Sequence, residues 1–163
     1  MGNNTSGSFS LYLDGSDIGL SNNSEDIDAL TNLPDGSLLI STRGNLNAGG
    51  ISAADEDLVR FTPTSLGANT TGSLSLYLDG SDIGLSNEDV DALAVDGIGD
   101  LLLSVTNNFS VSGLSGADED IFGFTPSSTG TVTNGNFSSD LFFNGSQFGL
   151  SGNDITGIAI GIA

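Results

Sequence analysis

The sequence predicts an all-β fold made of tandem four-stranded antiparallel units, because a long repeat, short strand-like runs and turn-forming dipeptides recur in step. Leu11, Leu76 and Leu141 are equally spaced along the chain and lie in three versions of one phrase: LYLDGSDIGL twice and then LFFNGSQFGL. No capped amphipathic segment with a helical period occurs in the sequence. The chain, 1–163, is therefore interpreted as a single repeat domain, with repeats at 8–72 and 73–137 and a partial repeat at 138–163.

Each full repeat contains four strand-like runs joined by turns. The predicted strands are 27–30, 38–41, 58–63 and 73–78, followed by their counterparts at 90–95, 101–105 and 121–126. The second run of each repeat is apolar on both faces, so we expect it to be covered on both sides. Pro63 and Pro126 are expected to end the third run, because proline donates no hydrogen bond to a ladder.

The phase of the repeats leaves one strand-like run without partners near each end. The opening run, 8–14, matches a fourth strand without a third strand before it, and 155–160 matches a first strand without a second strand after it. Neither run carries the lysine or proline that usually protects an exposed edge. We expect these edges to pair with another copy; the alternative is that the sequence is part of a longer repeat array.

Four short antiparallel strands in about 60 residues are typical of a β-propeller blade. The sequence resembles β-propeller repeats in this pattern, and the phrase LYLDGSDIGL, with its partner ADED, is similar to a repeat of large uncharacterised bacterial surface proteins. The resemblance implies propeller-like blades that form an incomplete ring within one chain, since typical propellers have about 4–8 blades. It carries no catalytic signature. A β-sandwich and a β-solenoid array are the alternative architectures.

The charge balance excludes several classes of partner. Two basic and 21 acidic residues give a net charge of −19, which repels nucleic acid and anionic membrane surfaces. Without histidine or cysteine there is no zinc site of the usual kind. No apolar run is long enough for membrane insertion. A chain rich in Ser, Thr, Asn and Gly without lysine is typical of an extracellular or cell-surface bacterial protein.

Three acidic motifs recur in both full repeats and supply candidate metal ligands. The candidates are Asp14, Asp17, Glu25, Asp26, Asp28, Asp55, Asp57, Asp79, Asp82, Glu88, Asp89, Asp91, Asp118 and Asp120. Calcium takes several hard oxygen ligands, and carboxylates on glycine-containing loops can converge on one ion. The alternative is that these acids cap turns and strand starts by accepting backbone N–H bonds. Ca2+ is the one cofactor that the sequence indicates.

The sequence favours a non-enzymatic structural module that assembles with itself into rings or filaments. An ordinary base for a serine nucleophile is absent, since the chain has no His, Lys or Cys. The first alternative is a carbohydrate-binding module, in which Tyr12 and Tyr77 would stack on a glycan, although Phe142 in the third copy favours packing. The second alternative is a carboxylate-dependent glycosidase, but acids that recur in every repeat are not typical of a single active site.

Overall fold

The computed structural model describes residues 6–161, and two antiparallel sheets carry most of that chain. Sheet one has the strand order β1-β2-β5-β6 and is formed by β1 (Ile27–Asn32), β2 (Leu38–Thr42), β5 (Leu58–Ser65) and β6 (Thr71–Leu78). Sheet two is formed by β7 (Val90–Val95), β8 (Leu101–Val105), β11 (Asp120–Ser128) and β12 (Asn134–Phe137), with the short β13 (Phe143–Asn144) also on β11. The predicted all-β fold of antiparallel sheets is confirmed.

Each long connection between the second and third strands of a sheet contains a small hairpin that the sequence did not predict. The hairpins pair β3 (Leu46–Ala48) with β4 (Ile51–Ala53), and β9 (Phe109–Val111) with β10 (Leu114–Gly116). In the first hairpin, Gly49 and Gly50 form the turn with φ values of 60° and 82°. This left-handed conformation favours glycine, and two such residues suit the twist of a tight hairpin.

The two sheets pack face to face. Leu39, Leu58 and Leu78 of sheet one share a buried cluster with Leu103 and Phe122 of sheet two. The first strands, β1 and β7, lie beside each other. The opposite face of sheet one buries a second cluster, which the segment 13–20 partly covers. All residues of β2 and β8 are buried, so the prediction that these strands are covered on both sides is confirmed.

The two end runs predicted as strands are not strands. Residues 8–14 form only an isolated bridge between Leu13 and Gly67, and Phe9 is fully exposed. Residues 155–160 likewise lack strand pairing within the described chain. A β-strand forms only where its backbone N–H and C=O groups pair with a neighbouring strand. In the described structure these two runs have the apolar pattern of a strand but no such neighbour.

The prediction that proline ends the third strand is also wrong. β5 continues through Pro63 to Ser65, and β11 continues through Pro126 to Ser128. In both sheets the register shifts immediately after the proline. Proline is tolerated at such an irregularity because the ladder is already disrupted there.

The outer strand of sheet two is interrupted. β6 pairs with β5 from Thr71 to Leu78, whereas the corresponding part of sheet two divides into β12 and β13. In the pairing with the third strand, Gly135 takes the place of Gly72, and Phe143 takes the place of Leu78. The chain between these two positions is two residues longer in sheet two than in sheet one. These two extra residues break the strand.

Candidate functional site

The acids of the Asp-Gly-Ser-Asp motif form a turn and join it to the next sheet. Asp79 Oδ1 accepts hydrogen bonds from Ser81 N at 3.2 Å and from Ser81 Oγ at 2.6 Å. The Asp79 N–H donates to Thr133 Oγ1 at 2.9 Å, and Asp82 Oδ2 accepts from Thr133 N at 2.8 Å. Thr133 lies in the loop between β11 and β12, so the motif fastens the end of sheet one to the outer hairpin of sheet two.

The opening copy of the motif makes the same contacts one repeat earlier. Asp14 Oδ1 accepts from Ser16 N and Ser16 Oγ, at 3.1 and 2.6 Å. The Asp14 N–H donates to Thr70 Oγ1 at 2.9 Å, and Asp17 Oδ2 accepts from Thr70 N at 2.8 Å. We call each arrangement of two aspartates around Thr70 or Thr133 a threonine clasp.

Replacing Thr133 by valine is expected to lower the free energy of unfolding by about 1–2 kcal/mol, because the partly buried N–H of Asp79 loses its acceptor. Thr133 is 2% exposed, accepts from Asp79 N and donates to Gly130 O at 3.0 Å. Urea unfolding monitored by circular dichroism measures the effect. Thr131→Val, in the same loop but exposed, is the matched control and should be close to neutral. Equal losses in the two variants would contradict the clasp.

Asp57 and Asp120 tie the start of the third strand to the loop that follows the fourth. Asp57 Oδ2 accepts from Ala54 N and Oδ1 from Gly80 N, both at 2.8 Å. Asp120 repeats this with Ala117 N at 2.9 Å and Gly145 N at 3.0 Å. Burial raises the pKa of Asp57 in spite of these two donors. Each carboxylate thus holds one sheet's own loops together.

Glu25 and Glu88, which occupy equivalent positions in the two repeats, have opposite environments. Glu25 is buried and accepts N–H bonds from Ser21 at 2.8 Å, Asn22 at 2.9 Å and Asn47 at 3.2 Å. These bonds, that from Ser21 foremost, lower the pKa of Glu25. Glu88 has a buried Oε2 without a hydrogen bond in the described structure, and burial raises its pKa. The first repeat has two more residues between the shared phrase and its glutamate, and that longer loop supplies the donors.

Among three further candidates, Asp55 and Asp118 act mainly through their backbone carbonyl groups, and Asp26 is exposed to solvent. The carbonyl oxygen of Asp55 accepts from Val90 N at 3.1 Å, and that of Asp118 accepts from Ile155 N at 3.0 Å. Both bonds connect one repeat to the first run of the next. The side chain of Asp26 is exposed.

Asp28, in β1 of sheet one, faces the carboxyl group of Asp89, which directly precedes β7 of sheet two. Asp28 Oδ1 and Asp89 Oδ1 are buried, and neither has a hydrogen-bond donor among the described residues. Burial raises the pKa of Asp28. Burial, with repulsion from Asp28 and Asp55, raises the pKa of Asp89 to about 7, and Arg43 partly offsets it. Two carboxyl groups therefore share one poorly solvated place.

An equivalent pair occurs one repeat later, where the buried Asp91 faces Asp154, whose side chain is exposed. Asp91 is 4% exposed, and both of its carboxylate oxygens lack a hydrogen-bond donor in the described part of the chain. Burial raises its pKa to about 8, with further repulsion from Asp154 and Asp89. We call Asp28 with Asp89, and Asp91 with Asp154, the two carboxylate pairs.

Ten of the fourteen candidates fall into two groups, and Asp26, Asp55, Glu88 and Asp118 belong to neither. The clasp acids, Asp57, Asp120 and Glu25 accept N–H or O–H bonds, which matches the turn-capping alternative. In the carboxylate pairs, Asp28, Asp89 and Asp91 have buried oxygens without a donor and a raised pKa. Within residues 6–161, no three acidic side chains converge closely enough to ligate one metal ion by themselves. Chemically, the pairs can hold a shared proton or a hard cation.

Sequence reasoning missed Asp154 and the two clasp threonines. Asp154 follows Asp89 by the same interval that separates Leu141 from Leu76, so extending the repeat alignment through the third copy would have found it. Thr70 and Thr133 each follow a glycine by three positions, as Gly-Ala-Asn-Thr and Gly-Thr-Val-Thr. That common spacing was the available signal.

The fold and these contacts define an all-β repeat protein whose sheets are joined by acidic side chains. The chain matches no family model, no curated protein and no solved structure. The described residues contain no helix of the length and apolarity that crossing a membrane requires.

Proposed function

We propose that the chain is a non-enzymatic structural module, built from β-propeller-like blades, that acts outside the cell or on its surface and associates with copies of itself. The repeated threonine clasp is the observation that carries this proposal. The clasp joins the opening segment to sheet one and sheet one to sheet two through equivalent bonds, including Tyr12 O to Gly67 N and Tyr77 O to Gly130 N, both 2.8 Å. A junction that recurs with one geometry is suited to adding units in a row.

Propeller-like blades are favoured over a sandwich by the order of the strands. Both sheets run 1-2-3-4 from the first strand of the repeat to the fourth, and their first strands lie side by side. Equivalent strands that occupy equivalent places are the arrangement of successive blades around an axis. Two sheets bound by the same clasp thus support an arc of blades.

Self-association is supported by apolar side chains that have buried counterparts elsewhere in the chain. Phe9 and Leu11 are 107% and 55% exposed, whereas Leu74, at the position of Phe9 in the repeat, is 9% exposed in β6. The opening segment has the sequence of an outer strand such as β6. In the described structure, however, it pairs with no strand equivalent to β5, the partner of β6. A strand from a second copy would supply those backbone bonds and cover the apolar residues.

The alternatives have narrower support. Tyr77 is partly buried and packs against the core, so Tyr12, 53% exposed with its hydroxyl donating to Asn32 Oδ1 at 3.2 Å, is the side chain on which a sugar could stack. A glycosidase would need its two carboxyl groups open to substrate, whereas Asp91 is buried. Binding of Tyr12-dependent glycans, or hydrolysis that one Asp→Asn change abolishes, would replace the structural role by one of these.

Substituting the exposed apolar residues of the opening segment is expected to shift the protein to smaller species. Analytical ultracentrifugation should show oligomers for the full chain, and Phe9→Ser with Leu11→Ser should reduce them, because less apolar area is buried between copies. Deletion of residues 1–14 or 152–163 should act in the same direction. Ile98→Ser is the matched control, since Ile98 is 85% exposed in the turn between β7 and β8. A full chain that stays monomeric at high concentration would overturn self-association.

A further inference from the structure

The junction between successive repeats holds acidic oxygens that no group of the protein satisfies. Asp91 is nearly fully buried and faces Asp154, and neither of its oxygens has a donor within residues 6–161. Buried carboxylates are otherwise almost always hydrogen-bonded or bound to a cation, because an unpaired buried charge is strongly unfavourable. The orphaned oxygens of Asp91 therefore call either for a proton shared with Asp154 or for a bound cation.

The first junction has the same construction, which makes a chance arrangement a poor explanation. Asp28 and Asp89 face each other there, each with a buried oxygen that lacks a donor among the described residues. The flanking backbone is held alike, by Val90 N to Asp55 O at 3.1 Å and by Ile155 N to Asp118 O at 3.0 Å. Both repeat boundaries therefore bring together aspartates from equivalent positions of the repeat.

The protein itself offers little positive charge for these sites. Its cations are Arg43 and Arg60, and the chain has no lysine or histidine. Arg60 forms an ion pair with Asp35 on the far side of the β1–β2 turn. The positive charge of Arg43 lowers the pKa of Asp89, but by less than burial and the neighbouring carboxyl groups raise it. Because neither arginine is available to Asp91 and Asp154, we expect their positive partner to be a cation from solution.

We propose that each carboxylate pair, Asp28 with Asp89 and Asp91 with Asp154, binds one Ca2+ ion that clamps a repeat to its successor. The inference deepens the proposed structural function and rests on it for its purpose, since the ion would hold adjacent blades together. Two carboxylates supply at most four oxygens, so water and backbone carbonyls would complete the six to eight ligands that calcium takes. A site with so few charges should have a Kd of about 0.1–1 mM, in the range of extracellular modules.

The remaining acids of the sequence-derived set are not needed for these ions. The clasp acids, Asp57, Asp120 and Glu25 already accept bonds from backbone N–H groups. The proposal thus narrows the candidate ligands to four side chains, one of which, Asp154, lies outside that set.

Calorimetric titration of Ca2+ into the EDTA-dialysed full chain at about pH 7.5 should give two ions per chain, and about 10 mM Ca2+ should raise Tm by about 5 °C or more. Asp28→Asn or Asp91→Asn should each remove one ion, and the double variant should remove both. Asp26→Asn is the matched control, because it removes one carboxylate charge from an exposed side chain that belongs to neither pair. It should leave two ions.

Metal-free stability separates a failed fold from a failed site. With the repulsion removed, Asp91→Asn without calcium should melt at or above the temperature of the wild type. A variant that is equally stable but still binds two ions would overturn the assignment, as would identical melting of the wild type in Ca2+ and EDTA. Ultracentrifugation in EDTA tests self-association independently, so oligomers without calcium binding would reject the clamp and keep the structural function.

Discussion

Replacing Gly80 by alanine is expected to destabilise the protein by about 2–3 kcal/mol, the cost of forcing extra volume into a packed place. A Cβ at this position would lie 2.3 Å from the carbonyl oxygen of Glu56 and 2.7 Å from its Cγ. The backbone cannot move aside easily, because Asp57 binds the Gly80 N–H and the start of β5 together. Urea unfolding at equilibrium measures the loss.

The repeat provides its own controls for this substitution. Gly145→Ala should be equally harmful, since its Cβ would lie 2.2 Å from Glu119 O. Gly15→Ala should be nearly neutral, because the nearest atom to its Cβ, Leu20 Cβ, is 3.5 Å away. A similar loss at Gly15 and Gly80 would show that the glycine serves the turn itself and not the close approach of Glu56.

In EDTA, the protein is expected to lose stability as pH rises from about 5 to about 8, opposite to the behaviour of most carboxylates. The folded pKa of Asp89 is about 7 and that of Asp91 about 8, because burial and the facing carboxyl groups of Asp28, Asp55 and Asp154 disfavour the charged forms. Both lie far above the value of about 3.9 in an unfolded chain. The folded state therefore holds extra protons, and the stability they contribute is complete below about pH 4 and lost as pH passes 7 and then 8.

Differential scanning calorimetry across this range should show Tm falling by about 5 °C or more, and Asp89→Asn with Asp91→Asn should flatten the profile. Glu25 and Asp35, whose pKa values are lowered, act in the opposite direction, but their contribution disappears only on the acid side of this range. Metal-free stability that rises steadily towards pH 8 would contradict the buried pairs.

The sequence predicted strands well wherever the partner strand follows closely in the chain. The runs at 90–95 and 101–105 have the bounds of β7 and β8, because a local turn and an apolar pattern specify them together. The runs at 8–14 and 155–160 carry equally good patterns yet form no strand, since pairing depends on a third or second strand that pattern alone does not supply. The hairpins β3–β4 and β9–β10 were missed because three-residue strands give almost no periodic signal.

The sequence predicted the candidate site as a set of acids. It did not predict which of these acids accept hydrogen bonds and which lack a donor in the described structure. Repetition alone cannot tell Asp82, which accepts an N–H bond from Thr133, from Asp91, whose oxygens have no donor in the described structure. That difference depends on which loop of the neighbouring repeat lies opposite, and so on tertiary packing. Alignment of the third repeat could have found Asp154. It could not have shown that the two carboxyl groups of each pair face each other.

The interrupted outer strand of sheet two restricts how sheets can join sideways. β6 presents eight residues of continuous edge, from Thr71 to Leu78, which is long enough to template a strand from elsewhere. At the corresponding edge of sheet two, β12 and β13 offer four and two residues separated by 138–142. Growth of a sheet by strand addition uses the row of free backbone groups along its edge. The outer edge of sheet two offers at most the four residues of β12 in one run, so we expect lateral pairing of sheets to be weaker there than at β6.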